Sequence, residues 1–291
     1  MNSECASTDD YFFSPRAAAR RILIDQLGQE TATRNRNFAA GFIRRIKSQR
    51  IFTHPILDAL RDGAFDRDTL AEIHLEFRNA VVTVFTDAIL AAQLQSRTLE
   101  SRFGPASHMV VRFLLSLNLL DEFGYKPGIG EESYFRGHPW AAHFCMFDEV
   151  LSELGVDADA RAAYSESDGA RRVRLFIESQ FSDYLGLLVV LASTEETAMV
   201  ICPAMRKAAA HVGIDVTRGY YFVHGTTADA ETRAFDDDHQ EDVAFALMHA
   251  MTPTDDRRAC RLADDYGQVW LQFWDDLWTR VEHRRIRPLE A

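Results

Sequence analysis

The residues of this chain that could do chemistry are carboxylates and imidazoles set inside apolar stretches. Glu122 closes the run FLLSLNLLDE, four residues after Asn118 and seven after Leu115, so it shares a helical face with the apolar stripe. His143 opens HFCMFDEVLSELG, and Met146, Phe147 and Val150 follow at spacings that share its face. Glu195 and Glu196 come straight after LGLLVVLAST, the most hydrophobic stretch of the sequence. If the helix continues through Met199, Val200 and Ile201, at least one of these carboxylates points inward. YYFVHGTTADAETRAFDDDHQEDVAFALMHA then holds His224, Asp236, Asp237, Asp238, His239 and Asp242. Asp236 and His239 are three apart, on one helical face.

Each signal has an ordinary explanation. A terminal acid is usually solvated, a lone core histidine is usually satisfied, and an acidic run is usually a wet surface. An ionised carboxylate buried alone is costly, however, so buried acids are paired, protonated or metal-bound. Together these positions offer three carboxylates and three imidazoles from separate helices. That is the ligand set of carboxylate-bridged di-iron sites in helical bundles. Carboxylates stabilise the oxidised, hard iron, and neutral imidazoles hold the ferrous ion.

Helices must position these groups. A first helix is predicted from Pro15 to Leu27 with Gly28 as its stop, after a loosely attached segment 1–14. Arg34, Arg36, Arg44, Arg45, Lys47 and Arg50 form a basic cluster that reads as a solvated helix face. His54-Pro55 introduces a short helix ending at Gly63, and Asp66 or Asp68 can cap the next. Leu70, Ile73, Phe77, Val81, Val84, Phe85 and Ile89 predict one helix over Leu70–Gln95. Further helices are expected over Ser107–Phe123, stopped by Gly124, and Pro139–Leu154, stopped by Gly155. Residues 157–171 read as a linker or short helix. Val173–Gly213 is apolar on most of its circumference and should be central. The last helix, Pro253–His283, carries Tyr266, Trp270, Phe273, Trp274, Leu277 and Trp278, a stripe that reads as core packing.

The bulk composition agrees with one all-α domain over 15–291. Hydrophobic residues make up 47% of the 291 and Phe occurs 20 times, while Gly (15) and Pro (8) are scarce, which argues against an all-β fold. The net charge of −12 argues against nucleic acid and anionic membranes as partners. Cys5, Cys145, Cys202 and Cys260 form no CxxC pair, so neither a disulfide framework nor a structural zinc site is expected. The polar start is unlike a signal peptide. The best apolar run, Leu185–Ala192, is shorter than the roughly 20 residues that span a bilayer. The expected setting is cytoplasmic.

The order of motifs resembles a known group. HPILDALRDGAFDRDTLAEIHLEF, LNLLDEFG, HFCMFDEVLSELG, the central Glu, YYFVH and DDDHQEDV are similar to the haem-oxygenase-like di-metal oxidases over residues 50–250. This is the "iron-containing redox enzyme" group, related in fold to TenA thiaminases and PqqC. The resemblance implies a bundle of about seven core helices, with Glu122 and His143 as metal ligands. A central-helix Glu, Glu195 or Glu196, would bridge the metals, and Glu195 continues the Phe181, Leu185, Leu188, Ala192 stripe. The group then has a helical H-x-x-x-D-x-x-H. Asp236 and His239 match its second half, but Thr232 stands where the first His belongs. His224 is the natural substitute, twelve residues before Asp236 instead of four. On an unbroken helix that spacing leaves it about a third of a turn away, so the helix must break, or Glu231 or Asp229 ligates.

The resemblance implies O₂ activation by two Fe(II) ions, with Mn/Fe also suited, through a peroxo-diferric species. The expected reaction is N-oxygenation, C–H or C–C oxidation of a small amino-acid-like or amine metabolite in specialised metabolism. Arg78 and Arg174 could anchor a substrate carboxylate, and a homodimer is common in the group. One alternative is a metal-free enzyme on the same fold with Cys145 or Cys202 as nucleophile. Another is a non-enzymatic helical interaction protein, whose acidic and histidine positions would be exposed.

Overall fold

A computed structural model describes residues 15–126, 136–224 and 235–285, with the side chains of residue 126 and residues 235–238 outside that description. The segment 1–14, Asp229, Glu231 and Thr232 lie outside the described residues, as do the side chains of Asp236, Asp237 and Asp238. The described chain is all-α apart from one two-residue antiparallel pairing of Tyr125–Lys126 with Arg136–Gly137.

Glycines and caps set the boundaries of the N-terminal helices. α1 (Pro15–Leu27) ends at Gly28, whose φ of 73° only glycine adopts without strain. α2 (Gln29–Lys47) follows directly. His54 caps α3 (Pro55–Arg61), its Nδ1 accepting from the Ile56 N–H at 3.2 Å. Asp66, rather than Asp68, caps α4 (Arg67–Phe77), its Oδ1 accepting from the Thr69 N–H at 2.8 Å.

The single helix expected over Leu70–Gln95 is two helices. α4 stops at Phe77, one π-helical turn spans Arg78–Val82, and α5 runs from Phe85 to Gln95. The apolar spacing continues across the join because a π turn inserts one residue without reversing the chain. After the short α6 (Glu100–Phe103) come α7 (His108–Glu122) and α8 (His143–Glu153). The expected start of α8 at Pro139 is instead a 3₁₀ turn, Pro139–Ala141. Residues 157–171 hold the short α9 (Ala158–Ala163) and the start of α10 (Asp168–Glu178).

The apolar tract from Val173 divides at residues 179–183, and α11 (Tyr184–His211) is the central helix. It packs on α2, α3, α5, α13 (Phe235–Ala250) and α14 (Asp256–Val281), with α12 (Tyr220–Val223) between α11 and α13 in the chain. By length and composition α11 could cross a bilayer, contrary to the expectation from Leu185–Ala192 alone, but 78% of its most apolar window is buried by those neighbours. Its hydroxyls bond back to the helix, Ser193 Oγ to Val189 O at 2.8 Å and Thr197 Oγ1 to Ser193 O at 3.0 Å. Pro203 removes a further helical N–H.

The aromatic stripe of α14 is core: Tyr266, Trp270, Phe273, Trp274 and Leu277 are buried. The basic cluster of α2 is not simply solvated. Arg45 Nε reaches Asp264 Oδ1 at 2.8 Å, Arg34 pairs with Asp256, and Lys47 Nζ lies 3.0 Å from Glu196. Asp242, at the end of the acidic run, is fully buried. Burial raises its carboxyl above the usual range, against the opposing pull of Arg16 and Arg20.

Two enclosed imidazoles make the bundle acid-sensitive. Burial pushes His74 down to about 4, and burial with the nearby Arg102 does the same to His249, which stacks on Phe103 at 4.4 Å. An unfolded imidazole titrates near 6.5, so the unfolded chain binds more protons below that pH. Stability contributed by neutral burial is therefore lost as pH falls from about 6.5 towards 4, by roughly 3 kcal/mol per histidine at the acid end. His249→Phe should keep the stack and remove one share of that loss. Its urea midpoint should exceed that of the parent increasingly as pH drops; parallel midpoint curves would refute the assignment.

Candidate metal centre

Glu122 is the last residue of α7 and His143 the first of α8. Both placements oppose the helix dipole, which disfavours an anion at a C-terminus and a cation at an N-terminus. What brings them together is Gly124. Its φ is 83°, and a Cβ there would stand 2.5 Å from Ala141 C and Ala142 N, so only glycine lets the start of α8 fold back onto the end of α7. Glu122 Oε1 then lies 3.0 Å from His143 Nδ1. His224, where α12 ends, places Nε2 3.0 Å from the same Nδ1. Asp121 Oδ2 stands 3.3 Å from His239 Nε2 on α13 and 3.7 Å from His143 Nε2. Asn118 Nδ2 donates to the His239 carbonyl at 3.3 Å, holding α13 against α7.

Glu122, His143, His224 and His239 line one cavity of about 60 Å³ with Glu195, Thr194, Cys202 and Tyr220. Glu122, His143, Glu195 and His239 are all buried. Apart from Thr86 the rest of the wall is apolar, with Phe77, Val81, Val82, Phe85 and Phe144 from α4, the π turn, α5 and α8. Burial alone would raise the Glu122 carboxyl. The facing imidazoles of His143, His224 and His239 outweigh it and hold the group below the usual carboxylate range.

The adjacent acids of α11 part company. Glu195 lines the cavity, whereas Glu196 turns away to accept from Gln240 and to meet Lys47 Nζ at 3.0 Å. The helix that would carry an unbroken H-x-x-x-D-x-x-H is interrupted: α12 ends at Val223 and α13 begins at Phe235. Asp236 belongs to α13, and its side chain lies outside the description. Asp121 and Tyr220 went unremarked in the sequence. Asp121 could have been suspected from its adjacency to Glu122, while Tyr220 carried no signal beyond its aromatic neighbour Tyr221.

The arginines considered for substrate binding are engaged elsewhere. Arg78 grips Asp148 at 2.5 and 3.2 Å, and Arg174 bonds Glu166 and Glu178. Neither lines the cavity, and no Lys or Arg does among the described residues. Cys145 also lies off the cavity, and burial with Asp148 and Glu149 pushes its thiol up.

The donor chemistry suits a divalent metal. With bonds of about 2.1 Å, adjacent ligand atoms of an octahedral ion are about 3.0 Å apart, which is the spacing of His143 Nδ1 from both Glu122 and His224. Among the described residues, no three His, Cys, Asp or Glu side chains are grouped closely enough to hold a metal ion as they stand. Comparison with protein-family models and with curated protein sequences returned no match.

Substitutions separate the donors from their supports. Glu122→Ala and His143→Ala should each abolish ferrous binding with the circular dichroism of the bundle intact; full iron loading in either would remove that residue from the site. Gly124→Ala, which touches no donor, should weaken iron binding by roughly 10–100-fold, as changes to ligand supports do. Glu196→Gln should leave loading unchanged while costing about 2 kcal/mol of stability from its charged hydrogen bonds.

Proposed function

We propose that the chain is an O₂-dependent non-haem di-iron oxidase of the haem-oxygenase-like di-metal kind. The observation that carries this is the convergence of Glu122, His143, Glu195, His224 and His239, from five separate helical segments, on one apolar-walled cavity. Buried histidines serving only as packing have no need to meet two buried carboxylates there. Glu122, His143, His224, Glu195 and His239 would hold the metal; Asp236, expected as a further ligand, has its side chain outside the described residues. Asp121, with Oδ2 3.3 Å from His239 Nε2, would orient that ring and leave its Nδ1 for the metal. Bound iron would supply the reduction of O₂ and the oxidation of substrate.

The protein's part is positional. A neutral imidazole at His143 would leave a nitrogen lone pair for a ligand bond. Phe77, Val81, Val82, Phe85 and Phe144 keep bulk water from the reacting atoms. Among the described residues the lining holds no Lys or Arg to pair with a substrate carboxylate, so the wall favours a small amine with an apolar body.

A metal-free enzyme has one observation in its favour: Cys202 lies on the same wall, its Sγ 3.9 Å from the Tyr220 hydroxyl. Anaerobic ferrous titration of the apo-protein, followed by O₂ with candidate amines, decides between the two. The oxidase should take up two irons per chain, less tightly as pH falls, because protons compete with the metal for its ligands. It should oxidise an amine with Cys202→Ser as active as the parent. No uptake of iron, with loss of turnover in Cys202→Ser, would replace the oxidase by the thiol enzyme.

A further inference from the structure

Behind the cavity wall lies a second polar pair that ligand binding does not use. His74 of α4 and Tyr221 of α12 are fully enclosed, and the Tyr221 hydroxyl meets His74 Nε2. The other ring nitrogen fixes the proton. His74 Nδ1 lies 2.7 Å from the Leu70 carbonyl, which can only accept, so Nδ1 carries the hydrogen and Nε2 presents its lone pair to the phenol. Of the other buried tyrosines, Tyr220 lies on the cavity wall with its hydroxyl 3.9 Å from Cys202 Sγ. Tyr266 pairs with the Thr194 hydroxyl, and Tyr184 has no hydrogen-bond partner among the described residues. Neither meets a base.

The pair is also in ring contact with the cavity. Tyr221 lies 5.5 Å from Tyr220, and Tyr220 lies 4.3 Å from His224, both on the cavity lining. Phe147 stacks on His74 at 5.7 Å and packs against Tyr220 at 4.8 Å, which seals the group from solvent.

We propose that Tyr221 with His74 is a proton-coupled one-electron donor to the metal cavity, an inference that rests on the oxidase reading above. Two ferrous ions and a two-electron substrate supply the four electrons that take O₂ to water. When substrate is absent the cavity is short of electrons and holds an unspent oxidant derived from O₂. Tyr221 gives that oxidant one electron through the ring of Tyr220. Its O–H bond breaks, and the proton passes to His74 Nε2. The products are the one-electron-reduced oxidant, a neutral tyrosyl radical and an imidazolium. A one-electron reductant of the thiol or ascorbate class returns the electron, and the proton goes back from Nε2 to the phenolic oxygen.

The surroundings fit both directions. The imidazolium would have each N–H satisfied, by Leu70 O and by the tyrosyl oxygen, so the charge is not left without partners. Burial holds neutral His74 down to about 4 and pushes Tyr221 well above its ordinary value. Before oxidation, therefore, the phenol keeps its proton and the imidazole stays open. After the electron returns, the same burial drives the proton home.

The test uses the full chain and electron paramagnetic resonance. In the metal-free protein, a near-ultraviolet pulse in frozen solution should give a tyrosyl radical with the g-value of a hydrogen-bonded phenoxyl, absent from Tyr221→Phe. His74→Gln keeps a hydrogen-bonding amide but cannot take the proton, and it should also lose the persistent signal. Persistence in either variant reduces the pair to two buried groups that satisfy each other. Iron content is then measured, and the loaded protein is mixed with O₂ without substrate. The same radical in the parent, missing from both variants, supports the donor role. Iron uptake and O₂ consumption with no radical at Tyr221 overturns the donor and leaves the oxidase standing. No iron uptake overturns the oxidase and the donor role with it, whatever the photolysis shows.

Discussion

The structure turns on one carboxylate that is in the wrong place for its own stability. Glu122 sits at the negative end of α7, buried, where both the dipole and the loss of water oppose its charge. Positive charge or metal must come to it, and three imidazoles do, from α8, α12 and α13. Much of the C-terminal half of the fold can be understood as the means of delivering them. Gly124 turns α8 back, the end of α12 sets His224 beside His143, and Asn118 ties α13 to α7 through the His239 carbonyl. A local arrangement that contradicts helix electrostatics depends on the groups that face it.

α11 provides the counterweight. It is apolar on nearly all sides, so a polar group on it must be satisfied across the bundle. Glu196 is satisfied within the protein, by Lys47 of α2 and Gln240 of α13. Glu195, one residue earlier and so turned about 100° around the axis, faces the cavity instead. One helix thus uses adjacent identical residues for opposite ends, one to fix three helices together and one to present a carboxylate to the site. The structural one also holds the orientation of the other, because it sets the rotation of α11 about its axis.

Much of this was legible in the sequence, for local reasons. Gly28, Gly63, Gly124 and Gly155 mark helix ends because a positive φ is a property of the residue itself, and each has one. His54-Pro55 and Asp66 were readable as caps for the same reason. Glu122, His143 and the pair Glu195-Glu196 stood out because they interrupted apolar periodicity, while the resemblance pointed to His224 and His239. What could not be read depends on partners far along the chain. Arg78 looked available until Asp148, 70 residues on, took both ends of its guanidinium. The basic face of α2 looked wet until α14 supplied Asp256 and Asp264. The choice between Glu195 and Glu196 waited on Lys47. The π turn at Arg78–Val82 was hidden because one inserted residue barely disturbs a 3.6-residue pattern, so the apolar spacing remained intact across it.

The places where regular helix fails are gathered round the cavity. The π turn contributes Val81 and Val82 to its wall, Pro203 follows the wall residue Cys202, and Glu122, His143 and His224 all stand at helix ends. Glu195 differs, held in the interior of the longest described helix. Donors at ends can shift by a few dihedral angles, whereas an interior donor moves only with its helix. The two 3.0 Å contacts of His143 join end-placed groups, whereas Glu195 lies on α11 beside Glu196, which Lys47 and Gln240 hold in place.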